Sequence, residues 1–155
     1  MSNYYHFAYG SNMNLNELSK YLPSKIKIIG TGYLDDHIFK YRTINNRKLS
    51  AKANIEPRKG SKVYGIIFQL YGTLKKLHKK EGIFNNTYTI KFHTVNLINP
   101  ISNTQQKTFL CYSYVMTPKA IGQVGNPSKI YKKNIVKIAE IYNFPLRYIK
   151  TKLKN

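Results

Sequence analysis

The first residues, Tyr4-Tyr5-His6-Phe7-Ala8-Tyr9, are apolar and aromatic enough for a buried strand, and they break at Gly10-Ser11-Asn12, a tight-turn composition. Asn12 or Asn14 then caps a short predicted helix carrying Leu15, Leu18 and Leu22, which Pro23 stops. Lys25 to Leu34 alternates apolar and polar positions around Gly30 and Gly32, a pattern for a bent strand. His37 to Thr43 reads as a second strand returning through an Asp35-Asp36 turn. Leu49 to Ile55 is a further strand, closed by a turn over Pro57 to Gly60. Val63 to Leu70 carries the strongest strand signal, nearly continuous in apolar character, as for a strand buried on both faces. Thr73 to Lys80 places Leu74 and Leu77 on one side of a helix and lysines on the other. Two β-rich segments, Thr87 to Leu97 and Thr104 to Met116, are divided at Asn99-Pro100 as a hairpin would be. Ser128 caps an amphipathic helix running to Tyr142, and Pro145 suits the first turn of a last helix ending near Leu153. These elements add up to one α+β domain over residues 1–155, mostly antiparallel sheet with peripheral helices.

Composition changes this picture little, and charge changes it more. With 42% hydrophobic residues, 14 Tyr and 7 Phe, the chain is globular rather than disordered. No apolar run is long enough to span a membrane, and the opening residues lack the basic and then apolar regions of a signal peptide. Cys111 is the single cysteine, so no internal disulfide forms, and no His or Cys spacing suggests a metal site. A cytoplasmic protein, monomer or homodimer, is expected. The formal net charge of +20 brings polyanion binding into consideration. Lys supplies 22 of the 26 basic residues, however, and these are spread from Lys20 to Lys154. Arg, the side chain suited to bidentate phosphate and base contacts, occurs only at 42, 47, 58 and 147. A solvated basic surface is therefore favoured, and a nucleic-acid-binding module is the alternative.

Acidic residues are scarce enough to narrow the search for chemistry: Glu17, Asp35, Asp36, Glu56, Glu81 and Glu140. Glu17 and Glu140 fall within helical patterns as exposed partners of lysines, Asp35-Asp36 within a turn, and Glu56 before Pro57 at a strand end. Glu81 closes a helix and precedes Gly82, which by position alone makes it a C-terminal capping carboxylate, with a catalytic role open. The stretch Tyr9-Gly10-Ser11-Asn12, a strand, a glycine turn and a helix start, can present successive backbone N–H groups to one anion; an ordinary strand-to-helix turn is the alternative. No Walker loop or dinucleotide fingerprint occurs, and His6, His37, His78 and His93 read as surface or core histidines.

Taken together, His6-Phe7-Ala8-Tyr9-Gly10-Ser11-Asn12-Met13 closely resembles the opening signature of the γ-glutamylcyclotransferases. The resemblance continues in order through Ala53-Asn54-Ile55-Glu56-Pro57, Val63 to Phe68, Lys80-Glu81-Gly82, Cys111 to Met116, Pro127-Ser128 with Tyr131, and Leu146-Arg147-Tyr148. It departs in two places: Pro145-Leu146 reverses the family order, and Lys79-Lys80 precedes Glu81 where an acidic residue is usual. The resemblance implies a compact mixed, mostly antiparallel β-barrel flanked by helices, with a cavity at one mouth. It implies a small-molecule γ-glutamyl substrate, cyclised to 5-oxoproline with release of an amino acid or amine, and neither cofactor nor metal. Glutathione ranks lower as substrate, because glutathione-specific relatives carry a different opening motif. Glu81 is the implied proton-transfer group. His6, Phe7, Ala8, Tyr9, Gly10, Ser11, Asn12 and Tyr131 are the implied substrate-binding residues. Lys79 and Lys80 are expected to face solvent, and Ile121 to Asn126 to be a loop at the cavity rim.

Overall fold

A computed structural model describes residues 3–155. Its six strands are β1 (Asn3–Ala8), β2 (Ile26–Ile44), β3 (Lys52–Tyr71), β4 (Tyr88–Pro100), β5 (Thr108–Met116) and β6 (Ile121–Val124). They hydrogen-bond in the order β3-β1-β5-β4-β2-β6, and a further β2–β3 pairing closes the first five into a barrel, leaving β6 as an added strand on β2. Every pairing is antiparallel except the short parallel contact of β1 with β5 at His6 and Tyr112. Closure removes the free edges that an open sheet of this length would expose. The helices are α1 (Leu15–Ser19), α2 (Lys75–Glu81), α3 (Lys129–Ile141) and α4 (Leu146–Tyr148), the last continuing into a π-helical turn over Ile149–Leu153. The α+β barrel flanked by helices is the architecture the sequence resemblance implies. No helix among the described residues is long and apolar enough to cross a membrane.

Local chemistry explains most of the boundaries. Asn14 caps α1, its side chain accepting from the N–H groups of Asn16 and Glu17 at 3.0 and 3.3 Å. Ser128 does the same for α3 through the Tyr131 N–H at 3.2 Å. The core is one cluster: Phe7, Val63, Ile66, Ile67, Phe68 and Leu70 are wholly buried inside the barrel wall, as their continuous apolar run requires. Leu77 of α2, Ile135 of α3 and Leu153 add the helices to the same cluster.

Three strand readings are corrected. No turn separates Lys25–Leu34 from His37–Thr43, because β2 runs through both. Leu49–Ile55 and Val63–Leu70 likewise belong mostly to one strand, β3. The polar residues between these segments form a bulge in the β2–β3 ladder. Asp35 pairs with Lys62 and His37 with Pro57, so the single Asp36 faces four residues, Arg58 to Ser61. Asp36 adopts φ 57° there and its Oδ1 accepts from the Gly60 N–H at 2.9 Å, so the acidic pair, the proline and the glycine bend a ribbon rather than end it. The third correction is Ile121–Asn126, whose first four residues are β6, paired with Arg42 and Ile44 of β2. Four residues are too few to show an alternation.

Candidate active site

The candidate site is a cavity of about 420 Å³ where the loop after β1, the C-terminus of α2 and the start of α3 converge. α2 ends on Glu81 because Gly82 takes the left-handed conformation (φ 89°), which lets its N–H return to the carbonyls of His78 and Lys79. The chain then folds back through hydrogen bonds from the Thr87 and Tyr88 N–H groups to the Gly82 carbonyl, at 3.0 and 3.3 Å. That turn brings both Glu81 and Tyr88 to the cavity wall.

Glu81 is 15% exposed at its side chain, and Asn12 Nδ2 donates to its Oε1. Burial raises the carboxyl above its ordinary 4.5; the Lys80 ammonium, 3.8 Å from Oε2, and the Asn12 hydrogen bond oppose the rise without cancelling it. Lys80 is exposed, as expected, yet its side chain does not point away from the carboxyl. Its ammonium turns back over Glu81 and lies 5.4 Å from the centre of the Tyr21 ring. Lys79 is exposed yet also lines the cavity.

The run from His6 to Asn12 borders the same cavity, although its side chains meet different partners. Phe7 is fully buried in the barrel, and Ala8 is 2% exposed. The Tyr9 hydroxyl donates to the Tyr114 carbonyl, which ties the loop to β5 rather than offering a free donor. Gly10 packs so closely on Ala53 that an added Cβ would lie 2.9 Å from the Ala53 Cβ. Ser11, Asn12 and Met13 form a 3₁₀ turn, and the backbone N–H groups of Ser11 and Asn12 find no acceptor among the described residues. Asn12 is 7% exposed, and its Oδ1 is buried without a partner among the described residues. His6 is neutral: burial lowers it to about 4, its Nδ1 bonds the Tyr112 carbonyl at 3.1 Å, and its Nε2 is unpartnered among the described residues.

Tyr131, from the first turn of α3, lines the cavity, and its hydroxyl accepts from the Ala53 N–H at 3.0 Å. Burial and the nearby Glu81 push this phenol up to about 12. Tyr88 completes the clamp by donating to the Ala53 carbonyl at 3.3 Å, and burial raises it well above the usual phenol value. Tyr88, Arg47 and Lys52 line the cavity without having been singled out in the sequence. Among 14 tyrosines nothing local marks Tyr88 except its place six residues after Gly82. Glu56 lies outside the cavity, with its carboxyl held low by the Arg42 guanidinium through two bonds at 2.7 and 2.8 Å. No cluster of three or more His, Cys, Asp or Glu side chains able to hold a metal occurs among the described residues.

The architecture has close counterparts. A solved γ-glutamyl cyclotransferase superposes with a TM-score of 0.82 at 25% identity, over 99% of this chain and 87% of that one. An uncharacterized human protein matches equally, with a TM-score of 0.82, 25% identity and coverage of 99% and 88%. A yeast γ-glutamyl cyclotransferase specific to glutathione shares the fold alone, with a TM-score of 0.70, 10% identity and coverage of 99% and 95%. No curated protein sequence matches the chain. The AIG2-like family model matches residues 62–151, more than half of the sequence and the part that carries α2, Glu81, Tyr88 and Tyr131. The chain belongs to the AIG2-like family.

Proposed function

We propose that the protein is a γ-glutamylcyclotransferase, closing the glutamyl group of a γ-glutamyl amide on itself to give 5-oxoproline and a free amino acid or amine. The observation that carries this reading is the Asn12–Glu81 contact, which joins the opening glycine loop to a half-buried carboxyl of raised pKa at one cavity. Ring closure is intramolecular, so the protein has to hold the folded-back conformer and move protons. Glu81 takes a proton from the α-ammonium and passes it to water, and the freed amine attacks the γ-carbonyl carbon. Glu81 then takes the second proton from the ring nitrogen and gives it to the leaving nitrogen as the C–N amide bond breaks, and the released amine takes up a proton from water. A carboxylate of raised pKa is the stronger base for this task. The unpartnered Ser11 and Asn12 N–H groups suit the glutamyl α-carboxylate or the oxyanion forming on the γ-carbonyl. Tyr131 and Tyr88 wall the far side.

The direct test is mass-spectrometric detection of 5-oxoproline against a panel of γ-glutamyl dipeptides and amines. No release from any of them sinks the reading. Two variants probe its parts. Asn12→Ala removes a hydrogen bond that favours the ionised carboxyl, so the acidic limb of the kcat/KM profile should move to higher pH. An unmoved limb means that Glu81 is not the group titrating there. Tyr131→Phe deletes the acceptor for the Ala53 N–H, a loss of about 1–3 kcal/mol in unfolding experiments, and should lower kcat/KM by about tenfold. Wild-type kinetics in that variant would remove Tyr131 from the site.

A further inference from the structure

Besides Glu81 and its partner Lys80, three more cations border the cavity: Arg47, Lys52 and Lys79. They arrive from three places, the β2–β3 connection, the first residue of β3 and the last turn of α2. Two are held in position. The half-buried Lys52 ammonium stands 4.5 Å above the centre of the Tyr131 ring, and Arg47 Nη2 donates to Thr87 Oγ1 at 3.3 Å. None of the three has a carboxylate within ion-pair distance among the described residues. The remaining acids are committed elsewhere. Glu17 pairs with Lys20 and Glu56 with Arg42, while Asp36 accepts from Gly60, Asp35 from Asn96, and Glu140 is exposed on α3. The mouth therefore carries three uncompensated positive charges around a reaction centre whose own carboxylate is already paired.

We propose that this site selects γ-glutamyl compounds whose leaving group is itself acidic, with a side-chain carboxylate besides its α-carboxylate, and that Arg47, Lys52 and Lys79 make the selection. The inference rests on the cyclisation reading and adds to it the substrate class. The glutamyl α-carboxylate belongs to the loop N–H groups. A leaving amino acid with one carboxylate then answers one of the three cations, and a second carboxylate answers another. A leaving amine that carries positive charge is repelled. Cations gathered at a cavity mouth also steer anions toward it, an effect that salt screens over a length of about 10 Å at 0.1 M.

The experiment compares 5-oxoproline release from γ-glutamyl-glutamate and γ-glutamyl-glutamine, isosteres that differ by one charge. It uses low and high salt, with wild type and the combined Arg47→Gln, Lys52→Gln, Lys79→Gln variant. At low salt wild type should favour γ-glutamyl-glutamate by about tenfold in kcat/KM. The effect should fall mainly on KM, because the cations hold the leaving group equally before and during bond breaking. High salt and the triple variant should each shrink the preference to about twofold or less. Cyclisation of both dipeptides with no preference for the acidic one at low salt overturns the inference and leaves the cyclisation reading standing. A preference that survives both salt and the triple variant overturns the assignment to these residues. If neither dipeptide is cyclised, the inference falls, and the wider panel then decides whether the cyclisation reading falls with it.

Discussion

Glu81→Gln is expected to lower kcat for 5-oxoproline formation by about two to four orders of magnitude, the range for loss of a positioned general base, and to raise the thermal midpoint at neutral pH. The amide keeps the shape and can still accept from Asn12 Nδ2, so loss of activity would not report loss of the loop–helix contact. The stability change follows from the direction of the pKa shift. Burial raises the folded-state pKa above the ordinary 4.5, so above that value the native state is penalised for carrying the charge. Below pH 4.5 the carboxyl is protonated in both the folded and unfolded chains, and the penalty is absent. It develops as pH rises from there and is complete once pH exceeds the raised folded-state value. The stabilising effect of Glu81→Gln should therefore be present at pH 7 and vanish toward pH 4. A variant as active as wild type would remove Glu81 from the chemistry. One that is inactive yet less stable at pH 7 would mean that the carboxylate contributes structure rather than a strained base.

Why Glu81 needed more than its own neighbourhood is clear from what surrounds it. The helix, the terminating Gly82 and the capping position were legible locally, because the Leu74–Leu77 spacing and a left-handed glycine are short-range signals. The dehydration was not. It comes from Asn12, Tyr88 and Tyr131, which sit on other elements and meet only when the barrel closes. The same limit applies to Lys80, whose ammonium lies over Glu81 and beside the ring of Tyr21, a residue distant in the chain. Only the ordered motif set linked position 81 to the Tyr9–Asn12 loop in advance. On the fold side, β1, the capped α1, the β4–β5 pair and α3 were readable because each is a local periodic pattern with caps or breakers at its ends. The continuity of β2 and of β3 was hidden by Asp36, Pro57 and Gly60, whose composition fits a bulge as well as a turn. The +20 charge, spread evenly along the sequence, likewise gave no hint that three cations would gather at one cavity without acidic partners.

Gly65→Ala should cost about 1–3 kcal/mol of stability, the range that overpacking a filled core produces, and it should impair the site as well. Gly65 in β3 faces β1, and an added Cβ would stand 2.5 Å from the Ala8 carbonyl oxygen and 2.7 Å from two atoms of the Phe7 ring. Neither neighbour can yield easily. Phe7 is fully buried, its carbonyl accepts from Ser113 Oγ at 3.1 Å, and Tyr9 just beyond is tied to Tyr114. Room comes only by displacing the end of β1, which leads straight into Gly10-Ser11-Asn12. The thermal midpoint should drop by about 2–4 °C for each kcal/mol in a chain of this size, and kcat/KM at 25 °C should fall further than the unfolded fraction explains. Phe7→Leu distinguishes this account from a general weakening of the strand. Alone it destabilises by opening a space, but combined with Gly65→Ala it removes the ring atoms that the methyl meets. The two changes should therefore cost less together than the sum of their separate effects. Strict additivity in that cycle would mean that Gly65 is not held small by Phe7, and the proposed route from core packing to the catalytic loop would have to be abandoned.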